Sequence, residues 1–181
     1  MKIIEVNNQS DILEKYRDTP IGLLLAYHNL DRPFEDYKKA QLLVSMCMDN
    51  RKKLKIPNNF AYIIRTGAGN VKFIEFKVSF AIAVGGVKAI ALIAHTQCGM
   101  MGLRNKREAF IEGLTKNAGW RKESAVEHFE QFAPIFEIKD EKEFVTSEAK
   151  RLSARYPKIQ IAPLLYKIED NRLYQLADFE Y

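Results

Sequence analysis

The chain has 181 residues and carries 28 Lys and Arg against 23 Asp and Glu, a formal charge of +5. That length supports one domain that buries roughly 70% of its unfolded surface, and two cysteines are too few for a disulfide framework. The densest basic stretch, Arg104 to Lys122, is interrupted by Glu108 and Glu112 and reads as a solvated helical face, so no nucleic-acid partner is expected.

In chain order, Met1 to Pro20 is polar and lacks the apolar segment of a secretory signal, which implies a reducing, cytoplasmic setting. Ser10 to Tyr16 suggests a short helix capped by Ser10 or Asp11. Ile21 to Tyr27 fits either a helix or a core segment and falls far below the roughly 20 residues that cross a bilayer, so no membrane partner is expected. These pieces form an N-terminal helical arm of about residues 1–40 ahead of an α/β core of about 41–181, within a single domain spanning 1–181. Asp31-Arg32-Pro33 is a turn, and Leu42 to Cys47 is the first clear strand. Lys52 to Asn59 is polar, contains Pro57, and allows at most a short helix before the strand Phe60 to Ile64.

Arg65-Thr66-Gly67-Ala68-Gly69-Asn70 follows, with glycines that permit positive φ and close backbone approach. A dinucleotide loop would need a third glycine where Lys72 stands, so this spacing is weak evidence for a nucleotide. Asn70 can cap a helix over Val71 to Val84, with Phe73, Phe76 and Phe80 as its buried stripe. After Gly85-Gly86, the run Val87 to Ala94 reads as a buried parallel strand. Arg104 to Gln131 has helical patterning broken at Gly113 and Gly119, and Asp140 opens a helix to about Arg155. The strands Ile159 to Tyr166 and Arg172 to Ala177 turn at Glu169-Asp170-Asn171. This order predicts an α/β fold of three layers, with a mainly parallel central sheet flanked by helices.

The chemistry gathers where two strands end. His95-Thr96-Gln97-Cys98-Gly99 follows the Val87 strand, and Cys47 closes the Leu42 strand. Ligands bind at the carboxyl edge of open α/β sheets, so strands lying side by side would bring Cys47, His95 and Cys98 to one edge. That set suits Zn²⁺ and leaves a fourth tetrahedral position for water, the pattern of catalytic sites. Asp49, held ionised by Arg51, could take a hydrogen bond from that water and orient it. Met46, Met48, Met100 and Met101 flank the ligands and fit either an apolar pocket or core packing. His28 and His128 each stand alone and read as surface residues.

Together these residues resemble the beta-class carbonic anhydrases. The likeness rests on C-x-D-x-R at Cys47, Asp49 and Arg51, on H-x-x-C at His95 and Cys98 followed by Gly99, and on Arg65, Ala68 and Gly69 ahead of a long helix. It spans about Leu42 to Gly102. It implies that Cys47, His95 and Cys98 bind zinc and that the Asp49–Arg51 dyad orients hydroxide for attack on CO2, giving bicarbonate. It also implies at least a homodimer, whose clefts lie by the subunit interface. Three features depart from the family pattern: Thr66-Gly67 where a single Asn is more usual, Pro57 in a short connection, and Gln97 where Asp often stands. Two other readings use the same residues, hydrolysis of COS or CS2 and a non-catalytic zinc-bearing binding module whose fourth position Asp49 fills.

Overall fold

Strands that are apolar on both faces need a layer of helices on each side. The computed structural model describes residues 2–177 and meets that need with one six-stranded sheet. Its strands are β1 (Ile3–Ile4), β2 (Leu42–Cys47), β3 (Ala61–Thr66), β4 (Ala89–His95), β5 (Gln160–Lys167) and β6 (Arg172–Leu176), in the spatial order β1-β6-β5-β4-β2-β3. β2 runs parallel to both β3 and β4, and β4 parallel to β5. β6 turns back antiparallel to β5 and pairs antiparallel with β1. The expected three-layer, mainly parallel architecture is therefore present.

The helices are α1 (Pro20–Asn29), α2 (Glu75–Ala83), α3 (Arg107–Ala118), α4 (Lys122–Phe136) and α5 (Glu141–Arg155). Alternation along each strand divides the core in two. Val44, Met46, Ala91, Ile93 and Leu164 face α1, which contributes Leu24, Leu25 and Tyr27. Leu43, Ile90, Leu92 and Ile161 face the other way, against Val78 and Ala81 of α2 and Val145, Ala149 and Leu152 of α5. Burial of the larger of these side chains, at about 1.5–3 kcal/mol each for Val, Leu, Ile and Met, holds the layers together.

The segment from Val6 to the end of α1 is built into this core. The helix reading of Ile21 to Tyr27 is the observed one: Pro20 occupies the first turn of α1 and the Thr19 hydroxyl accepts from the Ile21 amide at 3.2 Å. Asn29 at its far end receives the Leu173 amide at 3.0 Å and donates to the Leu173 carbonyl at 2.7 Å, which fastens α1 to β6. Buried Gln175 of β6 ties down the preceding loop through the Leu13 amide and the Asp11 carbonyl.

Several local expectations are corrected. Ser10 to Tyr16 forms two 3-10 turns instead of a helix, and the cap is Asn8, whose side chain accepts from the Ser10 amide while Asp11 reaches back. Gly113 lies inside α3, and only Gly119, at φ +71°, ends it. The helix after Asn70 begins as a 3-10 turn, and its aromatic side is not buried. Phe73, Phe76 and Phe80 are 69, 81 and 51% exposed, because Val78 and Ala81 are the side chains turned to the sheet.

His28 is also not a surface residue: it is 5% exposed under the sheet. Its Nδ1 accepts from the Lys55 amide at 3.1 Å, so Nε2 carries the hydrogen and donates to the Asn171 carbonyl at 3.0 Å. A neutral imidazole thus joins the segment after β2 to the β5–β6 turn, and burial lowers its pKa to about 4. Below pH about 6.5 the unfolded chain binds a proton that the folded chain refuses, so stability should fall by up to about 3 kcal/mol between pH 6.5 and 4. Urea unfolding across that range should show this slope, and His28→Gln should flatten it; an equal slope in the variant would contradict the buried neutral assignment.

Candidate metal centre

The register that places Met46 of β2 beside Ile93 of β4 brings the carboxyl ends of both strands out together. Cys47 is the last residue of β2 and His95 the last of β4. Gln97, at φ +57°, turns the chain so that Cys98 comes back to the same point. The three side chains are buried, and their donor atoms all lie within 4.8 Å of one another. The sequence expectation that two distant segments meet at one sheet edge is realised in this grouping.

The donor chemistry fits a soft divalent ion. His95 Nδ1 bonds the Thr96 carbonyl at 2.8 Å, an interaction that requires the ring hydrogen on Nδ1. Nε2 is then a buried acceptor without a hydrogen-bond partner, an unusual cost in a folded core. The two thiols perturb each other: the Cys98 side chain holds the Cys47 thiol far below its ordinary pKa, and the neighbouring Cys47 sulfur pushes Cys98 far up. A cation at the centre would favour both thiolates and satisfy the imidazole as well. Cys47, His95 and Cys98 could therefore bind a metal.

The strand ends are held in place by the loops around them. Arg65 of β3 donates through Nη1 to the carbonyls of Cys47 and Asp49, each at 3.2 Å, and through Nη2 to that of Lys52 at 3.1 Å. The loop between β3 and α2 folds against β2, where the Ser45 hydroxyl donates to the Gly69 carbonyl at 2.9 Å. Gly69 has φ +77°, and a Cβ there would stand 3.3 Å from the Met46 Cα, so both its conformation and its closeness favour glycine. The glycine spacing of this segment thus serves backbone approach to the site.

Asp49 and Arg51 are joined as an ion pair. Arg51 Nε bonds both carboxylate oxygens, at 3.0 and 3.2 Å, Nη2 bonds Oδ2 at 2.7 Å, and the Arg51 amide bonds Oδ1 at 3.0 Å. The guanidinium holds the Asp49 carboxyl below the usual carboxylate range. Asp49 is outside the donor group of Cys47, His95 and Cys98. Lys52, which the sequence reading passed over, is 1% exposed, and its Nζ reaches the Asp49 carbonyl at 3.4 Å. Burial lowers its pKa, opposed by the negative charge of Cys47, Asp49 and Cys98. Its place after C-x-D-x-R was the only available signal, since lysine is rarely buried without a partner.

Met48 and Met100 line an apolar recess of about 470 Å³ with Phe110, His128, Phe132 and Phe136. Met46 is core instead, and His128 is half-buried among Phe110, Trp120 and Phe132. A larger cleft of about 900 Å³, lined by Lys38, Lys39 and Lys88, opens at the amino ends of β2, β3 and β4, away from the metal donors.

No protein-family model and no curated relative matches the sequence. Solved structures do match the fold. A beta-carbonic anhydrase isoform from Trichomonas vaginalis superposes with a TM-score of 0.65 at 17% identity, over 83% of this chain and 91% of that one. A carbonic anhydrase from Glaciozyma antarctica gives 0.60 at 21%, covering 78% and 85%. A carbon disulfide hydrolase gives 0.57 at 22%, covering 79% and 81%. The chain therefore has the beta-carbonic-anhydrase fold, which hosts more than one chemistry.

Titration of the purified protein with Co²⁺ should give intense thiolate charge-transfer absorption that saturates at one equivalent. Cys98→Ser should weaken both binding and absorption. An unchanged titration in that variant would remove Cys98 from the donor group.

Proposed function

We propose that this protein binds Zn²⁺ through Cys47, His95 and Cys98 and catalyses the reversible hydration of CO2 to bicarbonate, with Asp49 and Arg51 as its catalytic pair. The observation that carries this reading is the bidentate Asp49–Arg51 contact beside a buried Cys2His group with an unsatisfied imidazole nitrogen. When bound, zinc supplies Lewis acidity that makes a water nucleophilic near neutral pH. Asp49, kept ionised by Arg51, accepts a hydrogen bond from the attacking water and turns its lone pair toward CO2. Two thiolates cancel the charge of the ion and reduce its acidifying power, and the Arg51 and Lys52 cations offset part of that loss.

Both Asp49 oxygens are engaged by Arg51, which favours a catalytic centre over a binding module whose fourth position Asp49 occupies. The likeness to a carbon disulfide hydrolase and the apolar recess at Met48 and Met100 support a second reading, hydrolysis of CS2 or COS by the same residues.

Self-association completes the proposal. β3 is an edge strand, and Tyr62 on it lines an exposed apolar recess with Phe76 and Phe80 of α2, while Phe73 and Val84, flanking that helix, are exposed as well. Such a face is costly in water and suits a second copy of the chain. No helix among the described residues is long and apolar enough to cross a membrane, and a cytoplasmic setting, where thiols stay reduced, suits two free cysteines as metal ligands.

Stopped-flow hydration assays on zinc-loaded protein test the reaction. Asp49→Asn should retain zinc while kcat falls about 100-fold; full activity in that variant would contradict the pair's role, and CS2 turnover without CO2 turnover would select the second reading. In sedimentation experiments the wild type should be at least a dimer and Phe76→Glu/Phe80→Glu a monomer. A monomeric wild type would overturn self-association.

A further inference from the structure

Arg51 carries the proposed catalysis through Asp49, yet its side chain is 43% exposed. An exposed ion pair is normally weak and mobile, so further contacts are needed to hold the guanidinium still. The structure supplies it on the side away from Asp49. Arg51 Nη1 donates to Gln97 Oε1 at 3.0 Å, and Nη2 donates to the Gln97 carbonyl at 3.1 Å. Gln97 Nε2 in turn donates to Glu169 Oε1 at 3.0 Å. The other Glu169 oxygen receives the Thr96 hydroxyl at 2.7 Å, whose own oxygen accepts the Ile168 amide at 3.0 Å.

The direction of every donor in this chain is fixed. Arg51 can only donate and an ionised Glu169 can only accept, so the Gln97 amide must present its oxygen to one and its nitrogen to the other. No other side chain of that length satisfies both neighbours. A glutamate at 97 would set two carboxylates against each other, and a shorter aspartate would lack the donor that Glu169 requires. Gln97 also sits at φ +57°, a conformation that disfavours non-glycine residues, and it is retained where its main-chain and side-chain oxygens both meet the same guanidinium. A neutral amide has a further consequence. It leaves Asp49 as the carboxylate that Arg51 bonds directly, whereas an anion at 97 would compete for that charge.

We infer that Gln97 is a positioning residue for the Asp49–Arg51 pair, clamping the outer edge of the guanidinium, and that Glu169 from the β5–β6 turn locks the Gln97 amide in the required orientation. The inference rests on the proposed hydration reaction for its kinetic consequence, while the clamp itself can be read without turnover.

In zinc-loaded protein, Gln97→Ala should lower kcat about 10-fold with KM changed less than about 2-fold and zinc content unchanged, as expected for a residue that acts on the transition state through another group. Gln97→Glu should lose at least as much, and Gln97→Glu combined with Glu169→Gln should recover part of that loss, because the exchange restores one donor and one acceptor at each junction while the anion at 97 still competes for Arg51. A second readout is independent of activity. The 15N-labelled Arg51 side chain should give a rigid, exchange-protected Nε–H signal in the wild type and a mobile one in Gln97→Ala. Unchanged kcat together with an unchanged Arg51 signal would overturn the clamp, as would a double variant no better than Gln97→Glu. A wild type devoid of hydration activity but with a rigid Arg51 that loosens in Gln97→Ala would sink the proposed reaction and leave the clamp standing.

Discussion

The parallel pairing of β2 with β4 is the constraint on which the rest depends. Five consecutive residues of each strand pair, from Leu42 with Ala89 to Met46 with Ile93, and every one of them is buried. Because side chains alternate faces, a slip of one residue would exchange the two halves of the core, so the register is strongly fixed. That rigidity is handed on to the residues at the strand ends. Cys47 and His95 meet with no loop of their own to wander in, and only Cys98 depends on a turn. The result is a group that is poor as a core element, with two thiols that perturb each other and an imidazole nitrogen without a partner, and well suited to an ion.

Charge explains why the surrounding loops are built as they are. The centre draws negative charge together in Cys47, Cys98 and Asp49, and three cations answer it from different directions. Arg65 gathers the carbonyls of the 47–52 turn, Lys52 is buried beneath it, and Arg51 faces the Asp49 carboxylate from outside. These cations are not equivalent. Arg65 and Arg51 use the planar fork of guanidinium to hold fixed geometry, while Lys52 places a compact charge where its long stem can be packed. In the proposed reaction they share the work of keeping Asp49 ionised and of compensating the thiolates.

The strand framework and the donor group were legible in the sequence because each rested on a strong local pattern. Nearly unbroken apolar runs marked β2 and β4, which end in Cys47 and His95, and Cys98, the other cysteine of the chain, stands three residues past His95. Where the sequence reading failed, the deciding contact was distant. Nothing near His28 announces that the Lys55 amide and the Asn171 carbonyl close around it, and nothing near Phe76 reveals that α2 turns its smaller residues, Val78 and Ala81, toward the sheet. Glu169 looked like part of a turn and Gln97 like a departure from the family pattern. Only the fold shows that these two residues, 72 positions apart in the chain, come into contact.

The aromatic face of α2 and the edge strand β3 shows the same logic at larger scale, since a surface that makes little sense for a lone chain becomes intelligible beside another copy. Yet the reading of this molecule stands or falls at its centre. Zinc K-edge X-ray absorption of the zinc-loaded protein addresses it most directly. The account predicts two sulfurs at about 2.3 Å, one imidazole nitrogen at about 2.0–2.1 Å and a single light atom in the remaining position. A spectrum without sulfur neighbours, or one with zinc held by exposed carboxylates, would contradict it.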